Sequence, residues 1–371
     1  MIDMRGGMLE VTTPKVIRSI LKVILVCLIV LVLVVIFLPE SEFSVFLRRH
    51  FERVWPKDWR TVLEEHEGRI LVFFAPCEPS NPEGIDDKLV AFIDSAEHEV
   101  KAAIYDLRLE NVTGALLDAN NRGVSVSVVY HGDNETRQIK KLSRAGISMV
   151  ARQKGQGLMH NKFVVVDGKR VWTGSMNFTP NGAYKNNNNG LIIESEKIAD
   201  NYTVEFDEMY EGFFGATSPE NTQYSRVFIE GSEVENYFGP EDGVEKEILS
   251  ELREANEEIV FMAFAFTSEP IAELMAAKIT EGVDIRGVFE KGGRSRYTKY
   301  DFLRRAGAEV RWDTNRYNMH HKVIVIDRQV VVVGSYNFSK SANTQNDENC
   351  LIIHSTELAA SFLAEFERMW Q

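Results

Sequence analysis

The sequence is poor in cysteine and has no excess of basic charge, and both shortages narrow what it can be. Only Cys27, Cys77 and Cys350 occur among 371 residues. No Cys-x-x-Cys pair or Cys/His cluster is present, which argues against a zinc site or a disulfide framework. Cys27 lies in an apolar run, and Cys77 with Cys350 leaves room for one bridge. Lysine and arginine total 42 against 55 acidic residues, a formal charge of -13. A protein that coats nucleic acid carries a basic footprint, so that class is disfavoured. An enzyme with a small local basic cleft is not, because bulk charge sets solubility and steering rather than chemistry. No carboxylate cluster clearly holds a divalent metal, and no cofactor is expected. Hydrophobic residues at 44% and charged residues at 26% describe a globular chain long enough for two moderate domains.

One apolar run stands out. Residues 23–38 (VILVCLIVLVLVVIFL) carry no charge. As helix they span about 24 Å, against a hydrocarbon core of about 30 Å. Counted from Val16, with Arg18 and Lys22 snorkelling, the segment is long enough to cross. A cleaved signal peptide is the alternative. It would be shorter and end at small residues, whereas Leu38-Pro39-Glu40-Ser41 follows here. The uncleaved anchor is therefore favoured, and the basic residues before it favour an extracytoplasmic bulk. Residues 43–59 mix aromatics with arginines and read either as an interfacial amphipathic helix or as a helix packed on the following domain.

The rest of the chain repeats. His160-Asn-Lys162-Phe-Val-Val-Val-Asp167 with Gly174-Ser175-Met-Asn177 is matched by His320-His-Lys322-Val-Ile-Val-Ile-Asp327 with Gly334-Ser335-Tyr-Asn337, at a constant offset of 160 residues. Helical periodicities alternate with apolar strands before each motif, predicting a βαβ-built sheet in each half. Asp167-Gly168 marks a hairpin turn. The repeat places a first half at 67–215 and a second half at 241–371, and composition rich in Ser, Asn, Gly and Glu marks a linker at 216–240. An N-terminal tail (1–15), a membrane helix (16–38) and a juxtamembrane segment (39–66) precede them.

Strand alternation puts His160 beside Lys162, and His320 beside Lys322, on one face. Asp167 and Asp327 fall at the turns and read as structural. His321 faces away and reads as a packing or surface residue. Two histidines, two lysines and the amides of Asn177 and Asn337 make a phosphate site, with Ser175 and Ser335 as further donors. One imidazole attacks phosphorus; the other protonates the leaving oxygen and then deprotonates water.

These residues resemble the phospholipase D superfamily: His-x-Lys-x4-Asp followed by Gly-Ser-x-Asn, twice, over residues 67–371. The resemblance implies two α/β/α sandwich halves in a pseudo-dimer and a phosphohistidine mechanism without metal. It also implies His160 as nucleophile and His320 as general acid, an order that is reversible at this stage. It further implies an acidic residue after Gly-Ser-x-Asn that holds the other half's imidazole. Glu348 fits; the first half has Asn188. The substrate is a phosphodiester. Compact halves and a single anchor favour a membrane-tethered nuclease. A phospholipase D or cardiolipin synthase-like phosphatidyltransferase is the alternative, and a degenerate binding module, motivated by Asn188, comes third. Arg152, Lys154, Arg294, Arg296, Lys299, Arg304 and Arg305 are candidates for a nucleic-acid path.

Overall fold

A computed structural model describes residues 63–65 (backbone), 68–77, 81, 83–153, 155 and 157–370. The expected membrane helix at 16–38 lies outside them. Among the described residues no helix is long and apolar enough to cross a membrane.

The first half supplies β2 (Ile70–Ala75), α1 (Ile85–Asp94), β3 (Glu99–Ile104), α2 (Glu110–Asn121), β4 (Ser125–His131), α3 (Arg137–Arg144) and β5 (Ser148–Arg152). The hairpin β6 (Lys162–Val166) and β7 (Arg170–Gly174), α4 (Pro180–Tyr184), β8 (Asn188–Glu194) and α5 (Glu196–Glu211) complete it. The second half repeats the order: β10 (Ser232–Gly239), α6 (Val244–Glu254), β11 (Glu258–Ala263), α7 (Glu269–Glu281), β12 (Asp284–Phe289), α8 (Tyr300–Ala306) and β13 (Glu309–Trp312). Then follow β14 (Lys322–Ile326), β15 (Val330–Gly334), α9 (Lys340–Thr344), β16 (Glu348–His354) and α10 (Thr356–Trp370). The sheet orders match: β2-β8-β7-β6-β3-β4-β5 and β10-β16-β15-β14-β11-β12-β13. In each, three parallel strands joined by helices abut an antiparallel hairpin. The continuous apolar strand runs require cover on both faces, which this layering provides.

Two of the sequence boundaries are corrected. Residues 216–240 are not simply a linker: β9 (Arg226–Ile229) and β10 pair with each other, and β10 pairs with β16. Their polar residues alternate with buried Val227, Ile229, Val234 and Phe238, so composition reported only the outer face. Within the segment read as juxtamembrane, β1 (Leu63–Glu65) runs parallel to β9 at the edge of the second sheet. No disulfide forms among the described residues; Cys77 and Cys350 are free thiols.

One core is shared by both halves. The inner sheet faces enclose α5 and α10, with Tyr202, Phe206, Phe362 and Phe366 fully buried between them. The last helix of each half also reaches the other half's sheet. Tyr202 of α5 meets Phe238 of β10 edge to face at 5.1 Å, and Phe362 of α10 meets Phe74 of β2 at 5.2 Å. The outer faces are covered by α1 and α2 in one half and by α6 and α7 in the other.

Asp167 and Asp327 close this frame. Asp167 sits at φ 55, and its carboxylate accepts from the backbone N–H groups of Glu97, His98 and Glu99 at 3.0, 2.8 and 2.9 Å. Asp327, at φ 48, does the same for Asn256, Glu257 and Glu258. Each hairpin is thus pinned to the start of the neighbouring strand. Burial pushes the Asp167 carboxyl up, but the three donors leave it below its usual value. Asp327→Ala is expected to cost on the order of 3 kcal/mol in urea unfolding, because three charge-assisted bonds vanish at once. An unshifted midpoint would show that water replaces them.

Candidate active site

The strand ends bring the repeated motifs together. The backbone N–H of His160 donates to the carbonyl of Asp347 at 2.9 Å, and that of His320 donates to the carbonyl of Asn187 at 2.8 Å. Each histidine is therefore stitched to the opposite half, just before its last sheet strand. Gly174 and Gly334 let the end of each hairpin close on the adjacent strand of its own half: a Cβ on either would lie 2.6 or 2.3 Å from the carbonyl oxygen of Asn189 or Asn349, at φ +138 and +154.

His160 Nδ1 lies 2.7 Å from Glu348 Oε2. Glu348 is wholly buried and also accepts from Ser335 Oγ at 2.6 Å and Asn346 Nδ2 at 3.1 Å. Burial pushes this carboxyl up, but His160, Lys162 and Ser335 bring it below the usual value. Burial lowers the His160 imidazole to about 4, with Glu348 working in the opposite direction. The ring is therefore neutral at pH 7, donates Nδ1–H to the carboxylate and keeps a lone pair on Nε2.

His320 occupies the mirrored position with a different partner. Its Nδ1 lies 2.9 Å from Asn188 Oδ1 and 3.1 Å from the carbonyl of Ser175. Asn188 is held by Ser175 Oγ at 3.0 Å, and its own Nδ2 donates to the Gly182 carbonyl at 2.9 Å. Burial, then Lys322, Lys162 and His160, hold the His320 imidazole well below its usual range.

The lysines are equally buried, each 1% exposed. Lys162 Nζ donates to the His160 carbonyl, and Lys322 Nζ to the His320 carbonyl at 2.8 Å. Burial lowers Lys162 to about 7 and takes Lys322 well below its usual value. Four potential cations converge with one carboxylate, so the site is short of negative charge that a phosphodiester would supply. Binding should therefore draw protons onto the lysines. For dimethyl phosphate, an anion across this range, Kd is expected to weaken roughly tenfold between pH 7 and 8.5 as Lys162 deprotonates. Titration calorimetry in two buffers of different ionisation enthalpy would show the proton uptake, and a flat Kd would contradict it.

The remaining expected residues divide. In both halves the Oδ1 of the motif asparagine, Asn177 or Asn337, is buried without a partner, a matched open acceptor that a donor such as the attacking water or a sugar hydroxyl would fill, and not a phosphate oxygen. Ser175 and Ser335 correct the expectation of phosphate donors: their single O–H groups are directed to Asn188 and Glu348, so they orient the imidazoles' partners. His321 is a buried packing residue, bonded to Asn189 at 2.9 Å and Glu365 at 3.2 Å. Of the basic candidates, Arg152 is buried and paired with Asp347 at 2.6 Å, so it is structural. Lys299 pairs with Glu269 and Arg304 with Asp301. Lys154 lies outside the described residues.

Two aromatic residues were missed. The Tyr105 ring packs edge-on to His160 at 4.9 Å, with Lys162 Nζ 4.8 Å from its centroid; Phe264 does the same for His320 at 4.5 Å and Lys322 at 4.6 Å. Their signal was present: each follows the matched strand β3 or β11 by one residue.

Paired imidazoles and paired lysines from two matched halves, one imidazole backed by a buried carboxylate, define a phosphodiesterase centre. The family model described as "Cardiolipin synthase, PLD-like domain" matches residues 89–210 and again 248–370. The chain belongs to this family, within the phospholipase D superfamily, and is an enzyme of its phosphodiesterase class. A phospholipase D of Rickettsia felis is 31% identical over 149 residues, 40% of this chain and 74% of the relative. The solved structure of the phospholipase D family member Nuc from Salmonella typhimurium is 32% identical, covering 38% of this chain and 94% of that one, with a TM-score of 0.36. The phosphatidylserine synthase of Haemophilus influenzae Rd KW20 shares the fold across both halves: TM-score 0.60, 12% identity, 81% of this chain and 85% of that one.

Proposed function

We propose that this chain is a membrane-tethered nuclease that cleaves phosphodiesters without a catalytic metal. His160 Nε2 attacks phosphorus and forms the N–P bond while the P–O bond to the leaving group breaks. His320, protonated at Nε2 as the anion binds, delivers its proton to the leaving oxygen. It then takes a proton from water, whose oxygen attacks phosphorus and releases His160. Lys162 and Lys322 balance the charge on the non-bridging oxygens.

The observation that carries nucleic acid over lipid is the rim. The segments bearing Asn188 and His320 are joined by Asn315 Nδ2, which donates to the Lys185 carbonyl at 2.9 Å. On them Lys185 Nζ lies 4.9 Å from the ring centroid of Tyr317, which is 39% exposed. Elsewhere in the second half, Arg296 covers Tyr297, 61% exposed, at 4.7 Å. Exposed cation–aromatic pairs suit stacked bases and their phosphates. A lipid enzyme calls for an apolar rim, yet among the described residues the exposed large hydrophobics are only Phe213, Tyr297 and Tyr317. The lipid reading is supported by the family description, by the name of the Rickettsia relative and by the apolar run at 23–38, which also supports the tether.

The test is the full chain in detergent with EDTA, given labelled single-stranded oligonucleotide or cardiolipin micelles, with a His160→Asn control. Oligonucleotide cleavage lost in the control supports the nuclease; headgroup release with the oligonucleotide intact overturns it. Tyr317→Ala is expected to raise KM for the oligonucleotide about 5- to 30-fold, one lost stacking contact, with kcat nearly unchanged.

A further inference from the structure

On the far side of Asn161 from the reacting pair, three carboxylates meet. Glu205 and Glu208 are three residues apart on α5, and Glu241 lies just beyond β10. One oxygen from each lies within 4.8 Å of the others. Glu205 is 3% and Glu208 6% exposed, while Glu241 is partly exposed and gives the cluster a way to solvent. Outside neighbours use only part of their capacity: Asn161 Nδ2 donates to Glu205 Oε1 at 3.1 Å, Asn221 Nδ2 to Glu208 Oε2 at 3.0 Å, and the Ser218 hydroxyl also serves Glu208. Glu208 Oε1 and Glu241 Oε2 are buried with no hydrogen-bond partner. Among the described residues no lysine or arginine pairs with any of the three, and Arg152 pairs with Asp347.

Buried carboxylates left unpaired are unstable as anions; they must take up protons or hold a cation. We infer that Glu205, Glu208 and Glu241 form a calcium site that ties the last helix of the first half to the entrance of the second. The donors are all hard oxygens, which select calcium or magnesium over softer metals. Calcium accepts about six to eight oxygens in an irregular, partly hydrated shell, whereas magnesium demands a near-ideal octahedron, and three carboxylates of unequal burial suit the former. Water reaching Glu241 completes the coordination. The site is remote from the choice of substrate, so it stands or falls separately from the nuclease reading.

The experiment uses the full chain in detergent, stripped with EDTA and dialysed. Calcium binding is measured by calorimetry and by the melting temperature. A single calcium per chain is expected, with magnesium at least about tenfold weaker. Glu208→Gln keeps the side chain's shape and should weaken calcium at least tenfold and abolish the calcium-dependent rise in melting temperature. Glu241→Gln, more exposed and less exacting for folding, should do the same and serves if Glu208→Gln misfolds. No binding at millimolar calcium, or binding unchanged in the variants, overturns the inference and leaves the cluster as carboxyls sharing protons.

Discussion

Replacing His160 with asparagine is expected to reduce turnover at least about 10⁴-fold, the scale seen when a covalent nucleophile is removed. Asparagine can still donate to the buried Glu348 carboxylate, so the variant should remain folded. His320→Asn should fail differently. With a substrate whose leaving group needs no protonation, such as bis(p-nitrophenyl) phosphate, the first step proceeds and the second lacks its base. A phosphoenzyme should then accumulate and survive alkaline denaturation, as a phosphoramidate does. Rapid-quench labelling separates the roles: label trapped on the His160→Asn protein instead would reverse them.

The second large effect concerns the partners of the two imidazoles. Glu348→Gln is expected to lower kcat by about 10²–10⁴, because the amide can present N–H to Nδ1 and favour the wrong tautomer. Asn188→Asp tests the other side. A carboxylate there favours imidazolium, raising the His320 pKa from its depressed position. The limb of the pH–rate profile that needs protonated His320 should move to higher pH by about 1–2 units. A profile identical to the parent's would remove the basis for giving Asn188 a role.

Much of this is legible in the sequence. The repeat at 160 residues, the hairpin turn and strand parity placed His160, Lys162, His320 and Lys322, since a period of two leaves little freedom. What stayed hidden depended on tertiary approach. Ser175 and Ser335 looked like phosphate donors because their position beside the motif asparagine is visible, whereas the acceptors they face, Asn188 and Glu348, lie thirteen residues away. Arg152 looked like part of a basic path because its partner, Asp347, is 195 residues distant. Glu241 opens the second half, just past the segment read as a linker, so its meeting with Glu205 and Glu208 had no local signal. Tyr105 and Phe264 were readable as aromatic, but their contact with the histidines required the sheet order.

The unequal backing of the two histidines has a genetic consequence. Two copies of a single half, assembled as a symmetric pair, must carry the same residue at both positions: two carboxylates or two amides. A chain in which the halves are joined can hold Glu348 on one side and Asn188 on the other, and pass that difference on within one gene. Fusion thus converts a palindromic chamber into one with a direction. A phosphodiester entering it meets the carboxylate-backed imidazole on one side of phosphorus and the amide-backed imidazole on the other. Under the roles proposed for His160 and His320, which of its two ester bonds breaks is then set by the protein.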